Sequence, residues 1–311
     1  MTTLLVAISG GHLTQLKMLS GRIVDDDVVW LTNDTAQSRS LLDGERVYHV
    51  PTRPPRDYAG VLRDTHVASR ILRDHDIHAV ISTGAQIALS ALLPASPRRI
   101  PFTYIESATR VTGISTTGKI MERVPWVRRF VQYPHAVNDR WAYALSVFDG
   151  FRAEDAPAAD SEICRVVVTV GGNGDFGFRR LVDAAAAAIP SDADVLWQIG
   201  STDPTGLLFE TVKSVPSADL ADALVAADVV IGHAGTGTAL AALQAGKIPI
   251  LSPRSVEHGE HVDAHQRDLA DFLAERGLAI VCDPEELSRE TLELARRHRA
   301  VRSTDLAAVT L

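Results

Sequence analysis

The chain has 311 residues, 46% of them hydrophobic and 23% charged, which is enough apolar content for two ordinary domain cores. A formal net charge of −8 at pH 7 excludes a general nucleic-acid binder, whose surface would be basic, and admits only local basic patches. The two cysteines, Cys164 and Cys282, each stand in an apolar run and read as small core residues of a reducing compartment, not as a secreted cystine framework.

At the N-terminus MTTLLVAISGG has a short apolar stretch with no basic residue before it, which is not a signal peptide. No run reaches the ~18 apolar residues that a membrane-spanning helix needs. The expectation is a cytoplasmic protein, at most peripheral on the inner face of the cell membrane. Strands are predicted at 3–9, 28–33, 46–51, 78–83, 101–107 and 129–134, with helical periodicity between them, as in 57–75 and 84–93. Segment 151–162 (FRAEDAPAADSE) has no apolar period and reads as a linker. The pattern then repeats, with strands at 165–170, 194–200, 228–233, 248–253 and 278–283.

Continuous apolar strands joined through helices imply parallel sheets covered on both faces. The fold class is therefore α/β: two doubly wound Rossmann-like domains, 1–150 and 163–311, with an interdomain cleft. Ligands of such sheets bind outside the carboxyl ends of the strands.

Four segments carry candidate chemistry. In the first, Ser9-Gly10-Gly11-His12 closes a strand and opens a helix. Glycines there let backbone N–H groups approach a ligand, and His12 reads either as a helix cap or as a general base. In the second, Ser82-Thr83-Gly84 and Ile105-Glu106-Ser107 close strands on the same sheet edge. Thr83 and Gly84 are assigned with Gly10 and Gly11 to the acceptor side, and Glu106 is a second candidate base or an ordinary loop carboxylate. The basic segment 119–130 (KIMERVPWVRRF) reads as a peripheral membrane contact or as a core-facing helix with a basic edge, broken or kinked by Pro125.

The third segment places Gly171, Gly172, Asn173 and Gly174 between a strand and a helix, a turn suited to phosphate or ribose. The fourth is the most informative. His233-Ala234-Gly235-Thr236-Gly237-Thr238 sets backbone amides and two hydroxyls at a helix start, suited to a diphosphate. The loop after it holds Glu257, His258, Glu260, His261, Asp263, His265 and Gln266. The spacing is not that of a zinc motif, so no metal is assigned. Glu260, Asp263 and Gln266 are assigned to the donor side, the last two bonding sugar hydroxyls.

These residues resemble the MurG-like family 28 glycosyltransferases. In the second half the resemblance rests on HAGTGTALAALQAGKIPILSPR, EHVDAHQRDLADFLAERG and DPEEL, and in the first on SGGHLTQL, STGAQIA, YIESATRVTGISTTGKI and RFVQYP. Within that family the chain is similar to a fusion of the two subunits of the dolichol-linked chitobiose synthase and of its bacterial exopolysaccharide relatives, acceptor half first. The resemblance implies a GT-B architecture and inverting, metal-independent transfer without a cofactor, a UDP-sugar serving as co-substrate. The implied acceptor is a polyprenyl-diphosphate-linked saccharide of cell-surface polysaccharide synthesis at the cytoplasmic membrane face. By position, the 233–238 turn would hold the donor diphosphate, Asp263 and Gln266 the transferred sugar, and His12 would lie near the acceptor. Ala241 stands where many relatives carry a glutamate suited to the ribose hydroxyls. A small hydroxylated acceptor, a UDP-sugar epimerase of the same fold and a non-catalytic recruiting module are the alternative readings.

Overall fold

The computed structural model describes all residues except 26, 55, 56, 158–161, 172–175, 262–264, 304–306 and 310. The chain divides into two compact units, 1–149 with 306–311, and 150–305.

The first unit is a seven-stranded parallel sheet. Its strands are β1 (Thr2–Ala7), β2 (Asp27–Asn33), β3 (Val47–Val50), β4 (Ile77–Gly84), β5 (Phe102–Ile105), β6 (Arg128–Val131) and β7 (Ala142–Tyr143). They lie in the order β3-β2-β1-β4-β5-β6-β7. Helices α1 (Gly11–Ile23), α2 (Ala36–Leu41), α3 (Tyr58–Asp74), α4 (Ile87–Arg98) and α5 (Thr116–Met121) connect them. Successive side chains on a strand point to opposite faces. Leu4, Val6, Val29 and Leu31 join one core with Ala68, Ile71, Ala88 and Ala91 of α3 and α4. Leu5 and Trp30, on the opposite face, are equally buried. That two-sided burial is why these strands read as unbroken apolar runs.

The second unit repeats the plan with a five-stranded sheet. Its elements are β8 (Phe151–Asp155), β9 (Arg165–Thr169), β10 (Asp194–Gln198), β11 (Val229–His233), β12 (Ile250–Ser252), β13 (Ile280–Val281) and β14 (His298–Arg302), with α6 (Arg179–Ala188), α7 (Ser217–Ala226), α8 (Thr236–Gln244), α9 (His265–Glu275) and α10 (Arg289–Arg296). The sheet order is β10-β9-β11-β12-β13. Val166, Val168, Ile231 and Ile250 fill one core, while Val167 and Val230 fill the other with Leu224 and Ala242.

Each sheet grows outward in two directions from its first strand. The order reverses between β1 and β4 in the first and between β9 and β11 in the second. Such switch points open a crevice at the strand ends, the general ligand site of doubly wound folds.

The structure corrects four expectations. Segment 151–162 does not begin as a linker: β8 pairs antiparallel with β14. This ribbon buries Phe151 and Ala300 while Glu154 faces solvent and pairs with Arg152 and Arg299, so it lacks a long apolar run. The chain end also leaves the second unit, since the Val309 amide donates to the Arg22 carbonyl of α1. Cys164 is exposed, because it stands just before the first core position of β9, whereas Cys282 is buried. Finally, 119–130 is not one core-facing helix, and the break expected at Pro125 is present. α5 stops at Met121, two turns follow around Pro125, and β6 starts at Arg128. Proline lacks the N–H that would extend the helix. Arg129 closes the break by donating to the Met121 and Val124 carbonyls. Lys119, Arg123, Trp126 and Arg128 remain exposed. Among the described residues, no helix is long and apolar enough to cross a membrane.

Candidate active site

In the first unit the switch point brings together Gly10, Gly11, His12, Thr83 and Gly84. Gly10 has φ 98°, which a side chain would strain, and it lets the chain turn from β1 into α1. Its own amide is not open to a ligand: Gly10 N donates to Gln37 Oε1 and Ser9 N to Asn33 Oδ1, each at 2.6 Å. Among the described residues the next two amides, of Gly11 and His12, have no acceptor, and no side chain caps the helix. Open N–H groups at a helix start attract an anion or a polar oxygen.

His12 Nδ1–H donates to the Thr83 carbonyl at 2.8 Å, and Thr83 Oγ1 donates back to the His12 carbonyl at 2.8 Å. This clamp across the switch point fixes the tautomer, so Nε2 carries the lone pair. Among the described residues Nε2 has no hydrogen-bond partner. Burial holds the imidazole below the ordinary histidine range, the Thr83 bond opposes this, and the Arg110 charge adds to it. A neutral ring with an unoccupied Nε2 is ready to take a proton. Gly84 permits the approach: a Cβ there would lie 2.8 Å from the Tyr104 hydroxyl and 3.4 Å from the His12 ring.

Glu106, the second candidate base, is held by its own loop. It is 1% exposed, and its carboxylate accepts from Ser107 N, Ser115 N and Ser115 Oγ, each at 3.0 Å. Burial raises its pKa and these three bonds oppose the rise. A carboxylate so enclosed ties down the 107–115 loop and the start of α5. Two residues that carried no role in the sequence reading complete the network. Buried Gln15 donates to Ser107 Oγ and accepts from Ala108 N and from Gln132 Nε2, and Gln132 also donates to the Glu106 carbonyl. α1, which carries His12 in its first turn, is thereby bolted to the loop after β5. The only signal in the sequence was an amide inside each of two otherwise apolar motifs, HLTQL and RFVQY.

In the second unit the switch point joins Gly171 to His233-Ala234-Gly235. The His233 ring packs between the two turns. A Cβ on Gly171, whose φ is 86°, would lie 3.1 Å from its Cε1, and one on Gly235 would overlap its Nε2. The Thr169 carbonyl accepts from the ring, and Thr238 Oγ1 lies 3.2 Å from Nδ1. Burial, then the Arg254 charge, lowers its pKa to about 3. His233 is thus a neutral pin holding β9 to α8. The turn itself opens donors: among the described residues no side chain caps α8, and the Gly237 and Thr238 amides have no acceptor. Ala234 is buried and its amide bonds the Ser252 carbonyl, so it supports the turn from beneath. Thr236 is also buried.

The loop after β12 carries the remaining candidates. Glu260, assigned to the donor, is committed instead to Arg180 through both oxygens at 3.0 and 2.9 Å, and to Ser255 N at 3.0 Å. Gln266 is buried, and its Oε1 accepts from the Arg254 amide at 3.1 Å. His261 and His265 pack edge to face at 4.7 Å, with His261 tilted over Phe176. Among the described residues no three His, Cys, Asp or Glu side chains form a metal-binding group. Gly172, Asn173 and Asp263 lie outside the described residues.

Comparison with known proteins bears on this geometry. Residues 165–308 match the glycosyltransferase family 28 C-terminal domain. A Synechocystis sp. protein named UDP-N-acetylglucosamine--N-acetylmuramyl-(pentapeptide) pyrophosphoryl-undecaprenol N-acetylglucosamine transferase is 27% identical, over 94% of this chain and 86% of that protein. The crystal structure of Acinetobacter baumannii MurG superposes with a TM-score of 0.56 at 20% identity, covering 94% of this chain and 88% of that one. The UDP-GlcNAc 2-epimerase of Methanocaldococcus jannaschii gives 0.55 at 8% identity, covering 95% and 91%. At such identities the two structures speak for the fold alone, two Rossmann-like domains, and that fold serves more than one chemistry. The matched domain and the sequence relative go further: the second half carries a glycosyltransferase family 28 C-terminal domain, and the chain as a whole is similar in sequence to a MurG-type transferase.

Proposed function

We propose that this enzyme transfers a sugar from a UDP-sugar to a hydroxyl of a polyprenyl-diphosphate-linked saccharide in cell-envelope synthesis. The printed name of its Synechocystis relative makes UDP-N-acetylglucosamine the first donor to test and an undecaprenyl-diphosphate-linked sugar the first acceptor. One observation carries the reading. A neutral histidine with an unoccupied Nε2 stands at the first unit's switch point, and an uncapped helix start with open amides stands at the second's. The first suits deprotonation of an alcohol, the second a diphosphate.

In the proposed reaction His12 Nε2 takes the acceptor hydroxyl proton as the oxygen attacks the anomeric carbon. The bond from that carbon to the diphosphate oxygen breaks, its electron pair leaves with UDP, and the configuration inverts. The Gly237 and Thr238 amides and the α8 dipole stabilise the departing charge, a role that fixed donors fill without a metal or cofactor. Gln266 and Asp263 are assigned to the transferred sugar, the 171–173 turn to the nucleotide, and Gly11 with Thr83 and Gly84 to the acceptor side. The exposed Lys119, Arg123, Trp126 and Arg128 support a peripheral contact with anionic lipid on the cytoplasmic face.

The experiment is an assay with UDP-N-acetylglucosamine and undecaprenyl-diphosphate-linked saccharide, with and without a chelator. Labelled lipid and released UDP in equal amounts, unchanged by chelation, is the expected result. Interconversion of free UDP-sugars without an acceptor would instead indicate an epimerase, and a requirement for divalent metal would refute the metal-independent step.

A further inference from the structure

The donor-side network contains one charge that no described residue balances. Two guanidinium groups flank the buried Phe178 ring, Arg180 at 5.9 Å and Arg254 at 5.7 Å. Arg180 is fully compensated, by Glu260 at 2.9 Å and by Glu285 at 2.5 Å. Arg254 is not. Its Nη2 donates to two carbonyls, Val170 at 2.9 Å and Phe176 at 3.1 Å, and its Nε is buried with no acceptor. Among the described residues it has no ion-pair partner, and Glu260, the nearest acidic influence, is spent on Arg180 and Ser255.

A half-buried cation with an idle N–H is costly in an empty protein and favourable once an anion arrives. Its position says which anion. Val170 adjoins Gly171, where a Cβ would lie 3.1 Å from the His233 ring, and Arg254 is near enough to depress that ring's basicity. The same residue holds Gln266 through its backbone amide. Arg254 therefore touches both sides of the donor turn: the end of β9 and the loop that carries the sugar-facing candidates.

We propose that Arg254 is a positioning residue of the donor site, whose uncompensated guanidinium pairs with the diphosphate of the bound nucleotide while it ties Val170 to Phe176. This rests on the donor reading of the 233–238 turn. It assigns the positive charge of the site to a side chain, beyond the backbone amides, and it explains why Glu260 is diverted to Arg180, leaving Arg254 free for a ligand.

The test is calorimetric titration of the full-length wild type, R254K and R254M with UDP and, separately, with inorganic pyrophosphate. A charge-assisted contact predicts that R254M binds both ligands roughly 10- to 100-fold more weakly, with a flatter dependence on salt. R254K, which keeps the charge without the fork, should recover part of the loss. A purely structural tether would not be rescued by lysine and would leave the salt dependence unchanged, and either result overturns the proposal, as does equal affinity in wild type and R254M. Pyrophosphate binding that depends on Arg254, with no binding of UDP, would uphold the anion site and refute the nucleotide reading. A wild type that binds neither would overturn both.

Discussion

His12 carries the most specific demand on chemistry. With its Nδ1 proton fixed on Thr83, it has one free basic atom, and H12A should lower kcat by roughly 10²- to 10⁴-fold, the range of general-base catalysis. Because its pKa is lowered, the ring is the competent neutral form throughout the neutral range. The ascending limb of kcat against pH should therefore lie below the ordinary histidine value and disappear in H12A; a limb above pH 7 would point to another base. Glu106 is predicted to behave oppositely. E106A strands the buried Ser107 and Ser115 donors and should cost about 1–3 kcal/mol in urea unfolding, whereas E106Q, which keeps an acceptor, should lose less and retain most of kcat. The turn at Ser9-Gly10-Gly11-His12 was legible in the sequence because a glycine pair stands between an apolar strand and a helical pattern. The contacts of Glu106, Gln15 and Arg254 were not, since each includes partners well separated in the chain, from 9 to 117 positions away.

The glycine turns are the elements on which the donor half depends. G171A places a side chain at φ 86° and 3.1 Å from the His233 ring, and it should cost about 1–3 kcal/mol and weaken UDP binding together. Wild-type stability in G171A would show that the two turns are not locked through that ring. The β8–β14 ribbon gives a separate prediction. A fragment starting at residue 163 loses the partner of β14, so a 150–305 fragment should melt higher than a 163–305 fragment. The strands buried on both faces announced themselves as apolar runs at nearly their observed bounds. β8 did not, because a two-stranded ribbon with one wet face alternates Phe, Arg, Ala, Glu and Asp and looks like a linker. In 119–130 the basic and apolar spacing suggested a helix, and Pro125 overruled it.

For the whole molecule, the two units repeat one architecture and place different groups at the same topological position: a neutral histidine in the first and an uncapped helix start in the second. The shared plan was readable from alternating strands and helices; the side-chain partners at each switch point depended on the packing. Titration also acts on the whole fold. His233 has a folded pKa of about 3 and an unfolded one near 6.5, so the unfolded chain takes up a proton that the native state refuses. Stability from this group is complete above pH 6.5 and is lost as pH falls toward 3. The melting temperature should decline across that window, and less steeply in H233N. The central claim is tested most directly by labelled UDP-N-acetylglucosamine incubated with enzyme and undecaprenyl-diphosphate-linked saccharide. The account predicts label in the lipid product through an inverted linkage, one UDP per sugar, and loss of transfer in H12A. Absence of transfer to any lipid-linked acceptor over a panel of UDP-sugars, or undiminished transfer by H12A, would contradict it.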